Sequence, residues 1–143
     1  MHYAQYRFLF SPPQHVKDKI KEYKQVSIDK IGTFDSMHST AYISIPFDEG
    51  RQKTFVLEPA LIRMEKSLNS MPPIKLDIVG FDAFANHVTG YTIYAAFDIN
   101  DKVKNWIKLL FRSMNMKQQS FKPHITIARN IPEESYRVLW HGL

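Results

Sequence analysis

The chain has 143 residues, 44% hydrophobic and 23% charged, the balance of one soluble globular domain with a core of its own. With no cysteine, it excludes disulfides, thiolate metal sites and a cysteine nucleophile, and its net charge of +5 suits a phosphate-bearing partner as well as plain solubility. No apolar run approaches the length of a membrane span, and residues 1–7 lack the basic-then-apolar layout of a signal peptide, so no membrane association and a cytoplasmic setting are expected.

Residues 3–10 alternate and are rich in aromatics, which predicts a strand. Ser11, Pro12 and Pro13 end it and open a helix, with Ser11 as cap and proline in the first turn. Val16, Ile20 and Tyr23 then recur at helical spacing. Residues 33–36 read as a loop and 37–45 as a strand stopped by Pro46. A polar loop over 48–53 leads into a second amphipathic helix bearing Leu57, Leu61, Met64 and Leu68, with Pro59 near its start. Pro72 and Pro73 break it. Residues 74–81 and 91–97 predict a strand pair joined by a turn over 85–90. Asn100 or Asp101 caps a third helix with an apolar stripe of Val103, Trp106, Ile107, Leu110, Phe111 and Met114. Residues 122–128 form another strand, and 133–143 begin a helix. The lysines are dispersed, with Lys17, Lys19, Lys21 and Lys24 on the first helix and Lys102, Lys104 and Lys108 on the third. They form no dense basic arm.

Two strings stand out: His38-Ser39-Thr40-Ala41 and His124-Ile125-Thr126-Ile127. In a strand, residues i and i+2 share a face. Alternation therefore pairs His38 with Thr40, and His124 with Thr126. Ser39, Ala41, Ile43 and Ile45 fall on the core-facing side of the first strand, and Ile125 and Ile127 on that of the second. A third match, His87-Val88-Thr89-Gly90, sits in a polar, glycine-terminated turn and reads as a solvated hairpin residue. Element order repeats roughly: strand, helix, tetrad strand over 3–45, then paired strands, helix, tetrad strand over 74–128. A duplicated α+β unit, packed about a pseudo-twofold, would bring the tetrads face to face.

Two facing imidazoles suit a phosphodiester. In-line displacement needs a general base on one side of phosphorus and a general acid on the other, and histidine can serve as either. The Thr40 and Thr126 hydroxyls would donate hydrogen bonds to the non-bridging oxygens as charge grows there. No metal is required, and metal ligation finds no sequence support: there is no H-E-x-x-H, no His-x-His and no cluster of acids nearby.

Across nearly its whole length the chain resembles the two-histidine (2H) phosphoesterase superfamily, in its bacterial 2′-5′ RNA ligase-like branch. The resemblance starts with the strand over 6–13 running into Pro-Pro and a helix. It takes in the first His-x-Thr strand, the region of residues 81–84 and the third helix. It ends with Phe121-Lys122-Pro123-His124-Ile125-Thr126-Ile127-Ala128-Arg129, similar to the family pattern Phe-x-Pro-His-x-Thr-apolar-x-Arg. Met37 stands where the family often has proline. The family continues past its second motif with a helix and a further strand; few residues follow Arg129 here.

The resemblance implies a single α+β domain over 1–143: a duplicated bilobal fold with two antiparallel sheets forming a central cleft and helices packed outside. It implies no cofactor. The expected activity is that of a cyclic phosphodiesterase acting on 2′,3′-cyclic or 2′,5′ phosphodiesters of RNA ends or nucleotides, with reversible 2′-5′ RNA ligation within its range, in a monomer. Carried over residue by residue, His38 and His124 are the catalytic pair, and Thr40 and Thr126 the phosphate donors. Either histidine can be acid or base; for hydrolysis to a 2′-phosphate, one assignment has His124 activating water and His38 protonating the departing 3′-oxygen.

Further substrate contacts are sought in Tyr42, on the His38 face, Lys122, on the His124 face, Phe84 and Arg129. Tyr42 and Phe84 either stack on a base or pack across strands. On strict alternation Arg129 lies opposite His124, beside Ile127, unless the strand bulges there. The alternatives to this enzyme are a non-catalytic RNA- or nucleotide-binding module and a hydrolase of small cyclic nucleotides.

Overall fold

The computed structural model describes residues 3–4, 8–45, 52–86, 88–117 and 121–142, with the backbone alone described at 3–4, 8 and 52–57. His87, expected in the hairpin turn, and residues 48–51 of the polar loop lie outside the described residues. The chain is α+β. In order it forms β1 (Tyr3–Ala4), β2 (Phe8–Phe10), α1 (Gln14–Ile31), β3 (Ile43–Ile45), β4 (Gln52–Lys53), α2 (Thr54–Asn69), β5 (Ile78–Asn86), β6 (Gly90–Phe97), α3 (Asp101–Ser113), β7 (His124–Ile131) and α4 (Glu133–Gly142). β1 pairs antiparallel with β4, β2 neighbours β3, and β5-β6-β7 form a three-stranded antiparallel sheet. No helix among the described residues is long and apolar enough to cross a membrane.

The chain divides into two compact units built from interleaved segments. The first holds Met1–Phe8, Ile45–Asp77 and Asp98–Lys122; the second holds Leu9–Ser44, Ile78–Phe97 and Pro123–Leu143. Both tetrads lie in the second.

In the first unit α3 carries the core. Asn100 caps it, its side-chain oxygen accepting from the Val103 N–H at 3.0 Å. Val103, Ile107 and Phe111 are buried, with Ile74, Leu76, Ile99, Trp106, Met116 and Phe121 packed around them. The expected apolar stripe holds, and the half-buried Trp106 Nε1–H donates to the Pro72 carbonyl at 2.8 Å. α2 begins earlier than the sequence suggests, so Pro59 sits inside the helix rather than near its start, where it removes a backbone donor.

In the second unit α1 and α4 cover one face of the β5-β6-β7 sheet. Register fixes which residues share that face: Phe81 opposes Ala95, Ala83 opposes Ile93, and Ala95 also opposes Ile125. Ile93, Ala128, Ile131 and Leu139 form the buried core there, with Ile31, Phe34, Phe81, Tyr91 and Tyr136 against them. Each fully buried isoleucine contributes about 1.5–3 kcal/mol. Tyr23 of α1 meets Phe81 edge-on at 5.0 Å, and Tyr91 stacks on Tyr136 of α4 at 4.4 Å. Gly90 opens β6 at φ +109°, and a Cβ there would collide with the Ile131 carbonyl oxygen, so the β6–β7 approach requires glycine. α1 starts after Pro13, with no side-chain cap, rather than at a Ser11 cap, and it ends at Gly32, whose φ is +81° and whose N–H reaches the Ile28 carbonyl.

The first tetrad departs from expectation. Residues 36–38 form a turn, 39–42 are irregular, and strand geometry begins at Ile43. Ser36 has φ +73°, and the Ser39 N–H closes on the Ser36 carbonyl at 3.1 Å. The carbonyls of Ser36 and Ser39 also accept from Lys24 Nζ at 2.8 and 2.7 Å. Those acceptors are thus engaged away from any sheet ladder, and the strand cannot extend back through them. Alternation holds from Ala41 onward: Ala41, Ile43 and Ile45 are buried, while Ser39, expected among them, is exposed.

Candidate functional site

The second face of the β5-β6-β7 sheet, away from α1 and α4, carries polar side chains together with the aromatics Phe84 and Tyr94. Asp82 opposes Tyr94, Phe84 opposes Thr92, Tyr94 opposes Thr126, and Ala96 opposes His124. Directly paired residues share a face, so Asp82, Phe84, Thr92, Tyr94, His124 and Thr126 all stand on this side. The reason lies in the sequence of β7, where Ile125 and Ile127 are buried and His124 and Thr126, alternating with them, are turned outward and half-buried.

His124 opens β7 in an aromatic corner. Its ring lies 4.9 Å from that of Tyr94, tilted by 55°. Phe84 approaches it edge-on at 6.5 Å and contacts Tyr94 at 5.8 Å. Phe84 is half exposed. The Tyr94 hydroxyl donates to the Asp82 carboxylate across the strand pair. Burial first, then the negative charge of Asp82 and this hydrogen bond, hold the Tyr94 phenol above its ordinary value of 10.0.

Arg129 reaches the same face through a break in alternation. Register passes from Tyr94–Thr126 to Ile93–Ala128, so Ile127 is an extra residue, and Ile127 and Ala128 are both buried. Arg129 follows an inward residue and emerges on the side of His124 and Thr126. This is the bulge that the alternation argument left open. A second irregularity follows at once: register passes to Tyr91–Ile131, Asn130 has φ +56°, and its N–H donates to Thr92 Oγ1 at 3.3 Å.

The first tetrad is attached at this point. Asp35 forms an isolated antiparallel bridge with Arg129, and Lys24 holds the turn that follows. His38 and Thr40 are exposed, and Tyr42 is half-buried just ahead of β3. His38 and Thr40 therefore do not share a strand face. Lys122 is exposed and belongs to the first unit. The structure gathers Phe84, His124, Thr126 and Arg129 on one face and ties the His38 turn to the strand at Arg129.

Three participants escaped the sequence reading. Asp82 and Tyr94 carry no motif; their signal is that both stand in step with Phe84 on a strand pair. Lys24, 4% exposed, follows Ile20 by four residues and precedes Ser27 by three, on the stripe that α1 buries. Its periodicity marks it, and its residue type hides it. Among the described residues no group of three or more His, Asp or Glu side chains is disposed to hold a metal ion.

The class of protein defined here is an α+β chain with a histidine-bearing polar sheet face. No family model matches it, and neither the curated proteins nor the solved structures give a match.

Proposed function

We propose that the protein is a metal-independent phosphodiesterase of the two-histidine type, in a duplicated bilobal fold, acting on 2′,3′-cyclic or 2′,5′ phosphodiesters of RNA ends or nucleotides. It works as a cytoplasmic monomer, with ligation as the reverse reaction. His124 takes a proton from water as the oxygen attacks phosphorus. The bond from phosphorus to the 3′-oxygen breaks, and His38 supplies the proton that oxygen needs, leaving a 2′-phosphate. Thr126 and Thr40 donate to the non-bridging oxygens, and Arg129 adds positive charge beside them. Phe84 offers a stacking surface for a base.

The observation that supports this reading best is the single sheet face bearing His124, Thr126, Phe84 and, through the bulge, Arg129. Residue types that serve a phosphate ester meet there, and the His38 turn is bridged to the same strand. A second reading is favoured by the exposure of His38 and Thr40 in and beside a turn: a nucleotide- or RNA-binding module that uses the same face without catalysis.

The test is incubation with 2′,3′-cyclic AMP in EDTA, resolving the 2′- and 3′-monophosphates, for the wild type, His38→Ala and His124→Ala. Turnover in EDTA that each substitution abolishes supports the enzyme. Binding of cyclic nucleotide without turnover, unchanged by His38→Ala, replaces it with the binding module.

A further inference from the structure

A lysine buried to 4% exposure is uncommon, and a carboxylate ordinarily accompanies it. Lys24 has a different arrangement. Its ammonium donates to two backbone carbonyls, Ser36 at 2.8 Å and Ser39 at 2.7 Å. Among the described residues the charged group that perturbs it is a second cation, Arg129, which adds to burial in lowering its pKa. The charge is held at a desolvation cost, and what it gains is a closed turn.

That turn carries His38. The carbonyls of Ser36 and Ser39 are three residues apart, and both converge on one ammonium, with His38 between them. Ser36 adopts φ +73°, a region a serine enters at a cost, and its Oγ is buried with no hydrogen-bond partner. The backbone conformation is therefore held from outside, and Lys24 is the side chain that holds it. On the other flank Asp35 bridges to Arg129 of β7. The His38 backbone is thus fastened on one side to α1 and on the other to the strand that carries His124 and Thr126.

We propose that Lys24 is a positioning residue for His38: its buried ammonium, holding the end carbonyls of the turn, sets where that imidazole stands relative to β7. The proposal rests on the reading of His38 as one of two acid–base histidines. Lys24 touches no reacting atom. It acts through the turn, and small displacements of a proton donor or acceptor are costly to rate.

The experiment compares wild type, Lys24→Met and Lys24→Gln by histidine and backbone NMR and by kcat and KM on 2′,3′-cyclic AMP. Methionine nearly matches lysine in shape without its charge, and glutamine keeps one donor should methionine fail to fold. Since the chain has no cysteine, Lys24→Cys alkylated in the unfolded state with bromoethylamine and refolded restores an ammonium at that one position. The expected result is a shift of the His38 imidazole and of the amides over 35–40, with those of Tyr94 and His124 unmoved. With it comes a fall in kcat of about tenfold or more at little-changed KM, recovered by aminoethylation. Unmoved His38 resonances with unchanged kcat, or a uniform disturbance that includes His124, overturns the proposal. If the wild type turns over no cyclic phosphate, the enzymatic reading fails by itself, and the NMR comparison still decides whether Lys24 holds the turn.

Discussion

Tyr94 leans across the sheet onto His124, their ring centroids 4.9 Å apart, although the residue directly opposite His124 is Ala96. Diagonal neighbours on paired strands lie about 7–8 Å apart at the backbone, within reach of an aromatic ring, and the small Ala96 side chain leaves the space open. The phenyl part of Tyr94 is thus a wall for the imidazole, while its hydroxyl is engaged with Asp82. Tyr94→Phe keeps the wall and is expected to hold kcat/KM for cyclic phosphate within a few-fold of wild type. Tyr94→Ala removes it, lowering kcat/KM by about tenfold or more and stability by about 3–5 kcal/mol. Urea denaturation beside steady-state kinetics separates the two effects.

The Tyr94 phenol should ionise later than a free tyrosine. Burial is the larger cause and the Asp82 carboxylate the next, so Asp82→Asn is expected to lower the Tyr94 pKa while leaving it above 10.0. Because the folded value is the raised one, the native state keeps this proton longer than the unfolded chain. Its contribution to stability is whole below pH 10.0 and is lost as pH rises through the folded value. Tyrosinate absorbance, measured for wild type, Tyr94→Phe and Asp82→Asn, follows the change directly. A Tyr94 titration that Asp82→Asn leaves unmoved would remove Asp82 as a cause.

Arg129 tests the bulge. On an unbroken strand it would sit beside Ile127 on the packed face, and its loss would touch no ligand. With the bulge turning Arg129 to the Thr126 side of β7, Arg129→Gln is expected to weaken inhibition by inorganic phosphate about tenfold, the scale of one hydrogen bond to a charged group. The same substitution removes the second cause of the lowered Lys24 pKa. The lowered pKa leaves the unfolded chain the better proton binder between the folded value and 10.5, so stability from this group rises with pH through that window. Arg129→Gln narrows the window, and denaturation midpoints across the alkaline range read the difference.

Much of the fold was legible because it depends on periodicity. The stripe of α3, its Asn100 cap, and the inward Ile125 and Ile127 of β7 follow from spacing alone. The first tetrad misled for a physical reason. His38-Ser39-Thr40-Ala41 alternates like a strand, but the carbonyls of Ser36, just ahead of it, and of Ser39, within it, accept from a lysine twelve and fifteen residues away. Pattern within a segment cannot register a partner outside it. The side on which Arg129 falls stayed open likewise, since a bulge depends on which neighbour each residue meets in β6 and not on the order Ile127-Ala128-Arg129. The candidate site was half visible: His124 and Thr126 announced themselves by motif, while Asp82, Tyr94 and Lys24 became participants through strand register and burial.

Two histidines acting on opposite sides of one phosphorus should fail as a unit. General acid–base catalysis by a positioned side chain contributes about 10²–10⁴-fold, so His38→Ala and His124→Ala are each expected to lower kcat on 2′,3′-cyclic AMP within that range. Once either is absent, proton transfer is incomplete whichever remains. The double variant His38→Ala/His124→Ala should therefore be little slower than the worse single one, far short of the product of the two losses. The pH profile gives an independent reading. With one imidazole neutral and the other protonated, the wild-type rate is bell-shaped, and each single variant should lose one limb, its residual rate rising or falling monotonically. Fully additive losses with the bell intact in both variants would assign the two limbs to other groups and make His38 a binding residue.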